Sequence, residues 1–287
     1  MSATLIANVR YEDDARLQAA IIRGCSLSNA TVADIIRVQA MLGLSFREAA
    51  IRLGHVSQTE VDSATKSHQR LPVIRTDLAQ PAQDLLLVHQ PDHPRSEQIR
   101  TLRTELLLRH ESDDSANIMA VLSPSAGEGR SQLAAELAIA FAQLGRPTLL
   151  VDADLRNPRQ HQLFSADGMV GLSQALVRDQ KPNFQGVAGM PTLSLLSAGV
   201  LPHNPLELLS DRRFEALVRE WQGHYEFVVL DTPPVSQYAD GLAVATIVGR
   251  VLSLSRAGHT SYRDSRAMMR RLAATRSRVL GAVINYF

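Results

Sequence analysis

Three aspartates and a serine are the residues of this chain best suited to handling a phosphate. Asp152 and Asp154 close the apolar run Thr148-Leu149-Leu150-Val151, and Asp231 closes Phe227-Val228-Val229-Leu230. Ser131 ends the segment Ser123-Pro124-Ser125-Ala126-Gly127-Glu128-Gly129-Arg130, and Gln132 opens a helical pattern behind it. Glycines let a backbone turn tightly enough for its amide N–H groups to converge on phosphate oxygens. The following helix adds its N-terminal N–H groups and the positive end of its dipole. A serine at the end of such a loop is a magnesium ligand, and hard carboxylate oxygens at nearby strand ends suit both magnesium and a base beside a phosphate. Each feature alone has a plainer reading, a structural turn for the glycines and helix capping for the aspartates. Their combination points to a nucleoside triphosphate with Mg2+.

The elements needed to position these residues are legible. From Arg95 onward, short Val/Ile/Leu runs alternate with longer helical stretches. Strands are expected at Ile118–Leu122, Thr148–Val151, Leu193–Leu196, Phe227–Leu230, Val251–Ser255 and Val279–Ile284. Helices are expected at Arg95–His110, Gln132–Leu144, Val170–Val177, Leu206–Trp221 and Ser261–Ala274. This order implies an α/β fold, a mostly parallel sheet with helices on both faces. All three aspartates then lie at carboxyl ends of parallel strands, the edge where such sheets bind ligands.

The first 70 residues read as a small all-helical module. Asp34 is the expected cap of one helix; Ser45 with Glu48, and Ser57 with Glu60, are capping boxes, and Gly54 is the expected C-cap between them. Residues 71–94 contain Pro72, Pro81, Pro91 and Pro94 and read as a linker, so the phosphate-binding domain spans 95–287.

A formal net charge of +1 and an aromatic content of 5% argue against nucleic acid as a partner. One cysteine, Cys25, fits a reducing compartment, and neither a signal pattern nor a long apolar span is present, so a cytoplasmic location is expected. Of 30 basic residues only Lys66 and Lys181 are lysine, which matters for the loop itself.

From Pro94 to Asn285 the chain resembles the cytoplasmic domain of bacterial tyrosine kinases (BY-kinases) that control exopolysaccharide chain length, relatives of the MinD/ParA P-loop ATPases. The resemblance rests on Ser123–Ser131, on Leu150–Pro158 with His161, on Ala198–Leu209 and on Asp231–Val235. It implies ATP and Mg2+ as cofactors, bound by Gly127, Glu128, Gly129, Arg130, Ser131 and Gln132. Asp152 and Asp154 match the Walker A′ pair that orders magnesium and activates the tyrosine hydroxyl. Asp231 matches the Walker B aspartate, which with Ser131 and Asp152 makes the metal set, and Asn285 stands where the superfamily often reads the base. Glu97, Arg100 and Arg103 match a motif that joins neighbouring subunits into a ring. The resemblance also implies a membrane-embedded polysaccharide chain-length regulator as adaptor, which would hold the protein at the inner membrane.

Two positions depart from the family. Arg130 replaces the loop lysine, exchanging a compact ammonium for a longer planar fork while keeping its charge, so Arg130 stands in the catalytic lysine's place. Near the carboxyl end only Tyr286 stands where relatives cluster tyrosines, and it is expected to pack against the sheet. These departures leave open a catalytically weak oligomeric scaffold. Ser125, at the MinD-type signature lysine position, argues against a third reading, a MinD/ParA-like ATPase switch. A further arginine face, Arg263, Arg266, Arg270 and Arg271 with Arg276 and Arg278, is either a docking face or a solvated helix. The Ser45–Gln69 region, with Ala49–Gly54 followed by Val56 and Ser57, is similar to helical modules on type II secretion and pilus ATPases, some of which bind cyclic di-GMP; Arg52 is then a candidate nucleotide contact, beside the plainer readings of protein docking or domain packing.

Overall fold

The computed structural model describes residues 21–22, 25, 27–42, 44–61, 75–108, 117–178 and 181–286. The chain divides into two compact units, residues 1–71 and 72–287.

In the first unit, helices α1 (Asn29–Leu42) and α2 (Phe46–Arg52) enclose Ile21, Ile35, Phe46, Ala49, Ala50, Val56 and Val61. The Ser45 box forms as expected: Ser45 Oγ accepts from the Glu48 N–H, and Glu48 Oε2 accepts from the Ser45 N–H at 2.9 Å. Ser57 and Glu60 repeat it, with Ser57 N–H donating to Glu60 Oε2 at 2.8 Å. Gly54 ends α2 in the left-handed region, φ +70°. Asp34 is not a cap. Helix α1 begins earlier, and Ser28 Oγ accepts from Thr31 N–H at its start, because a hydroxyl one position before the helix outcompetes a carboxylate inside it.

The second unit is an eight-stranded sheet between two helical layers. Its strands are β1 (Arg75–Ala79), β2 (Asn117–Leu122), β3 (Thr148–Asp152), β4 (Gln185–Val187), β5 (Met190–Leu196), β6 (Phe227–Asp231), β7 (Arg250–Arg256) and β8 (Arg278–Asn285). They lie in the order β1-β4-β5-β3-β6-β2-β7-β8. Six of them, β5 to β8 across the sheet, run parallel; β4 turns back against β5, and β1 runs parallel to β4. Period-two alternation divides the strand residues between faces. Ile118, Ala120, Leu122, Val228 and Leu230 join one core, and Met119, Val121, Val229 and Leu252 join the other.

All six expected strands are present. The stretch expected as a linker carries β1 and the short helix α3 (Leu86–His89), and Leu85 and Leu87 are buried in the second core. Helix α4 (Pro94–Leu108) buries Ile99 and Leu106. Helix α5 (Arg130–Ala142) follows the glycine loop and is buried along almost its whole length. Short helices α6 (Gln160–Leu163) and α7 (Leu172–Arg178) follow β3. The single helix expected over Leu206–Trp221 is two, α8 (Pro205–Leu209) and α9 (Arg212–His224), because Asp211 caps a new start by accepting from Arg213 N–H at 2.8 Å. Helix α10 (Asp240–Val248) is absent from the sequence reading. Its Ala/Val/Ile-rich composition shows no polar face, and it packs between sheet and α9. Helix α11 (Tyr262–Ala273) precedes β8.

Candidate functional site

The loop between β2 and α5 takes the shape its glycines permit. Gly127 and Gly129 both have positive φ, +72° and +94°. Gly129 is the N-cap of α5 and supplies no side-chain cap, so the first N–H groups of this thirteen-residue helix are left to face a ligand. Several contacts hold the loop from behind. Glu128 is buried; its Oε2 accepts from Ser125 N–H at 2.9 Å and its Oε1 from the Thr260 hydroxyl. Arg256 Nη1 donates to Gly127 O at 3.1 Å, and Asn285 Nδ2 to Glu128 O at 3.1 Å. Asn285, expected at the base, therefore has its side-chain donor engaged by the loop. Gln132 Nε2 likewise donates to Asp84 O at 3.0 Å.

Arg130 lies inside this loop rather than across its mouth. Its Nε donates to Thr232 O at 2.7 Å, and its Nη1 to Ser125 O at 2.7 Å and to Ser123 Oγ. Burial pulls the guanidinium below its ordinary pKa, while the carboxylates of Asp231, Asp154 and Glu128 oppose that shift. A lysine has one nitrogen to offer; arginine's fork spans loop and strand end together.

The aspartates converge as the strand order requires. Asp152 and Asp231 are register partners on adjacent parallel strands and both are fully buried. Asp152 Oδ2 accepts from Arg159 N–H at 3.0 Å and Gln160 N–H at 2.9 Å; Oδ1 has only the longer contact from Asp154 N–H, 3.2 Å. Asp154 Oδ1 accepts from Arg156 N–H at 3.2 Å and Asn157 N–H at 2.9 Å. Asp152 thus takes the first N–H of α6, whereas the N–H groups that Asp154 accepts belong to the bend before that helix. Burial, then the Asp231 charge, pushes the Asp152 carboxyl well above the usual range. Asp231 is raised by burial, against lowering by Arg130, Ser131 and Gln160.

Gln160 escapes the sequence reading. Buried at the start of α6, it joins the loop helix to the acidic strand, donating through Nε2 to Ser131 O and to Asp231 Oδ2, each at 2.9 Å. Its only sequence signal is position, six residues past Asp154 and next to His161. A second unanticipated link is Arg156 with Asp240: Nε and Nη2 meet the two carboxylate oxygens, and the guanidinium lies 4.1 Å from the Tyr238 ring.

The remaining candidates stand apart from the loop. On α4, Arg100 pairs with Glu97 at 3.1 Å, and Arg103 Nη1 donates to Ala140 O at 3.0 Å near the end of α5. Arg263, Arg266 and Arg270 on α11 are solvent-facing or partly so, whereas Arg271 donates to Val235 O. Tyr286 does not pack against the sheet; it is 76% exposed, because β8 is an edge strand and Tyr286 lies just past its end. Arg52 is exposed in the first unit.

One atom tests whether these residues fit ATP with Mg2+. Asp231 Oδ1 is buried and has no hydrogen-bond partner. Such an atom is costly unless something outside the chain pairs with it. A hydrated cation beside Ser131 and Asp231 would supply that partner. Among the described residues no group of three or more His, Cys, Asp or Glu side chains could hold a metal alone. Magnesium at phosphate sites takes one or two carboxylates and completes its shell with phosphate and water, which is the arrangement available here.

Comparisons with known proteins bear on the family and the fold. The chain is 35% identical over 205 residues to the tyrosine-protein kinase YwqD of Bacillus subtilis, covering 70% of this chain and 85% of YwqD. EpsB of Ralstonia nicotianae is 28% identical over 298 residues, across 99% of this chain but only 39% of EpsB. The solved kinase domain of Escherichia coli tyrosine kinase ETK superposes with a TM-score of 0.67 at 30% identity, covering 70% of this chain and 79% of that one. MinD from Pyrococcus horikoshii, complexed with Mg-ADP, shares the fold at a TM-score of 0.52 and 18% identity, over 59% of this chain and 70% of MinD. No protein-family model matches.

Proposed function

We propose, from the premise that this chain belongs to the bacterial tyrosine-kinase family, that it binds ATP with Mg2+ at the carboxyl edge of its sheet and acts on tyrosine within an exopolysaccharide assembly system. The observation that carries this reading is the orphaned, buried Asp231 Oδ1 beside Ser131, at the foot of an uncapped loop helix. When bound, ATP supplies the phosphoryl group and Mg2+ offsets its charge. The N–H groups of Gly127 to Ser131 cradle the phosphates, and Ser131 with Asp231 holds the cation. Asp152 is the base. Its Oδ1 is the less occupied oxygen, and burial beside Asp231 gives it the proton affinity needed to take up an acceptor hydroxyl proton. Asp154 shapes the turn behind it.

Further parts of the reading concern assembly. No helix among the described residues is long and apolar enough to cross a membrane, and a membrane-embedded chain-length regulator is proposed as the adaptor at the inner membrane. Glu97, Arg100 and Arg103 on α4 join copies into a homo-oligomer. A second reading, a weakly active or inactive oligomeric scaffold, is favoured by the engagement of Arg130 with its own loop.

The test is ADP and ATP affinity with and without Mg2+, in the wild type and in Asp231→Asn, followed by labelled-ATP transfer read by mass spectrometry of tyrosines. The Mg2+-dependent part of binding is expected to fall in Asp231→Asn by the ~10–100-fold typical of groups that hold a metal through its water. Unchanged Mg2+ dependence would remove Asp231 from the metal set. Transfer absent from the full chain with its adaptor, with polymer export surviving Asp152→Asn, would leave the scaffold standing.

A further inference from the structure

Gln160 is placed where it can do more than brace two elements. Its backbone N–H is fixed by Asp152 Oδ2, and its side-chain Nε2 is shared between Ser131 O and Asp231 Oδ2. The Ser131 carbonyl has no proton to give, so the amide cannot be turned over without setting two acceptors against each other. Its orientation is therefore determined, and Oε1 is left as an acceptor. Oε1 is buried and has no hydrogen-bond partner, and the same is true of Asp231 Oδ1. The two orphaned atoms are the free ends of one hydrogen-bonded pair of groups, at the carboxyl edge where Asp152 and Asp231 lie side by side.

Two buried acceptors on directly hydrogen-bonded side chains, neither with a donor, call for a donor from outside the chain. A bare cation coordinated by both oxygens is one solution, but magnesium gives up its waters reluctantly and keeps several of them at phosphate sites. Metal-bound water is a strong donor, and groups that accept from it orient the shell. We infer that Gln160 is a positioning residue for the hydrated cation: its Oε1, together with Asp231 Oδ1, accepts from magnesium-bound water, while its Nε2 holds Asp231 in place. This rests on the nucleotide reading above and assigns Gln160 a part in selecting the metal's hydration geometry.

The experiment uses the full chain and two variants, Gln160→Met, which keeps length and removes both polar atoms, and Gln160→Glu, which keeps an acceptor oxygen and loses the donor. ADP affinity is measured by calorimetry without metal and across a Mg2+ series. Mn2+ binding to the ADP complex is measured by electron paramagnetic resonance. In Gln160→Met, the Mg2+ or Mn2+ concentration for half-saturation is expected to rise ~10–100-fold, with metal-free ADP affinity within about twofold of wild type. Gln160→Glu, whose carboxylate still accepts from metal-bound water, is expected to bind Mn2+ more tightly than Gln160→Met and within about tenfold of wild type. Equal losses with and without metal, or unchanged Mn2+ affinity in Gln160→Met, would overturn the inference by leaving Gln160 a brace. Should Gln160→Met fail to fold, Gln160→Glu decides alone: Mn2+ binding weaker than wild type by tenfold or more would overturn it. A wild type that binds ADP at no Mg2+ concentration would remove the nucleotide reading itself, and this inference with it. Mg2+-dependent binding in the wild type that Gln160→Met leaves intact removes only the inference.

Discussion

The loop edge of the sheet and helix α4 both carry motif residues, but they leave different kinds of group unpaired. At the loop edge, groups from β2, α5, β3, α6 and β6 converge, and after every internal hydrogen bond is made Asp231 Oδ1 and Gln160 Oε1 remain unpaired. On α4 the motif lies along one helix face, and the group it leaves unpaired is a donor, the buried Nε of Arg103. Glu97 pairs with Arg100, and Arg103 reaches the Ala140 carbonyl at the end of α5. The first region has buried groups that need a ligand. The second has an exposed carboxylate, Glu97, and two half-buried guanidinium groups whose present partners a neighbour would have to replace. Burial sets the difference: an unpaired buried acceptor costs on the order of 1–3 kcal/mol, whereas an exposed ion pair gives up little when exchanged.

Arg130 is the place to break the comparison, because there the loop edge satisfies itself. Arg130→Lys withdraws the fork from Thr232 O and leaves one ammonium to choose between loop and phosphate. One charge-assisted hydrogen bond redirected to phosphate, ~1.5–3 kcal/mol, corresponds to a rise in tyrosine phosphorylation of about 10–100-fold. The nucleotide-free protein should lose ~1–2 kcal/mol, roughly 2–8 °C in Tm. Initial rates with labelled ATP and thermal melts check both. If neither changes, the guanidinium's present contacts restrain nothing.

That self-satisfaction was not legible in the sequence, and the reason is instructive. Strand ends, glycine positions and the three aspartates follow from periodicity and residue type, so the six strands and the place of Asp152, Asp154 and Asp231 at their carboxyl edge could be read in advance, while the adjacency of Asp152 and Asp231 depends on a strand order that could not. Where a long side chain goes once its Cα is fixed could not. Arg130 folds back because Thr232 O, from a residue 102 positions away, lies within its reach. Gln160 was missed because nothing local marks a glutamine as buried, and its partners come from α5 and β6. Helix α10 was missed because apolar residues on all sides carry no period. Tyr286 was expected in the sheet's shelter, but β8 turned out to be the edge.

The carboxylate pair gives a prediction of intermediate size. Burial and Asp231 raise the Asp152 pKa in the folded state above its unfolded value near 3.9. Stability from the protonated form is therefore full below the unfolded value and is lost as pH rises through the folded one. Asparagine at 152 has no proton to lose. In EDTA, the Tm of Asp152→Asn relative to wild type should stay flat near pH 4 and climb toward pH 8, reaching about 1 kcal/mol or more, roughly 2–4 °C or above. Mg2+ with ADP should narrow the gap by stabilising the wild type. A difference that shrinks as pH rises would mean that the pair is not strained by its charges.

Helix α4 gives the smallest effect and the sharpest contrast. Glu97 is 71% exposed in its pair with Arg100, so Glu97→Ala should change monomer stability by no more than ~0.5 kcal/mol. Arg103→Ala removes a hydrogen bond to an α5 carbonyl that has no helical partner of its own at that end, a loss of about 1 kcal/mol. If α4 joins copies of the chain, Glu97→Ala lowers the assembly mass seen by light scattering at fixed concentration while its melt barely moves. If α4 serves only its own fold, the order reverses: Arg103→Ala lowers the melt and neither variant alters the mass. Mass and melting temperature thus separate a surface kept for a neighbour from one that only packs α4 onto the loop helix.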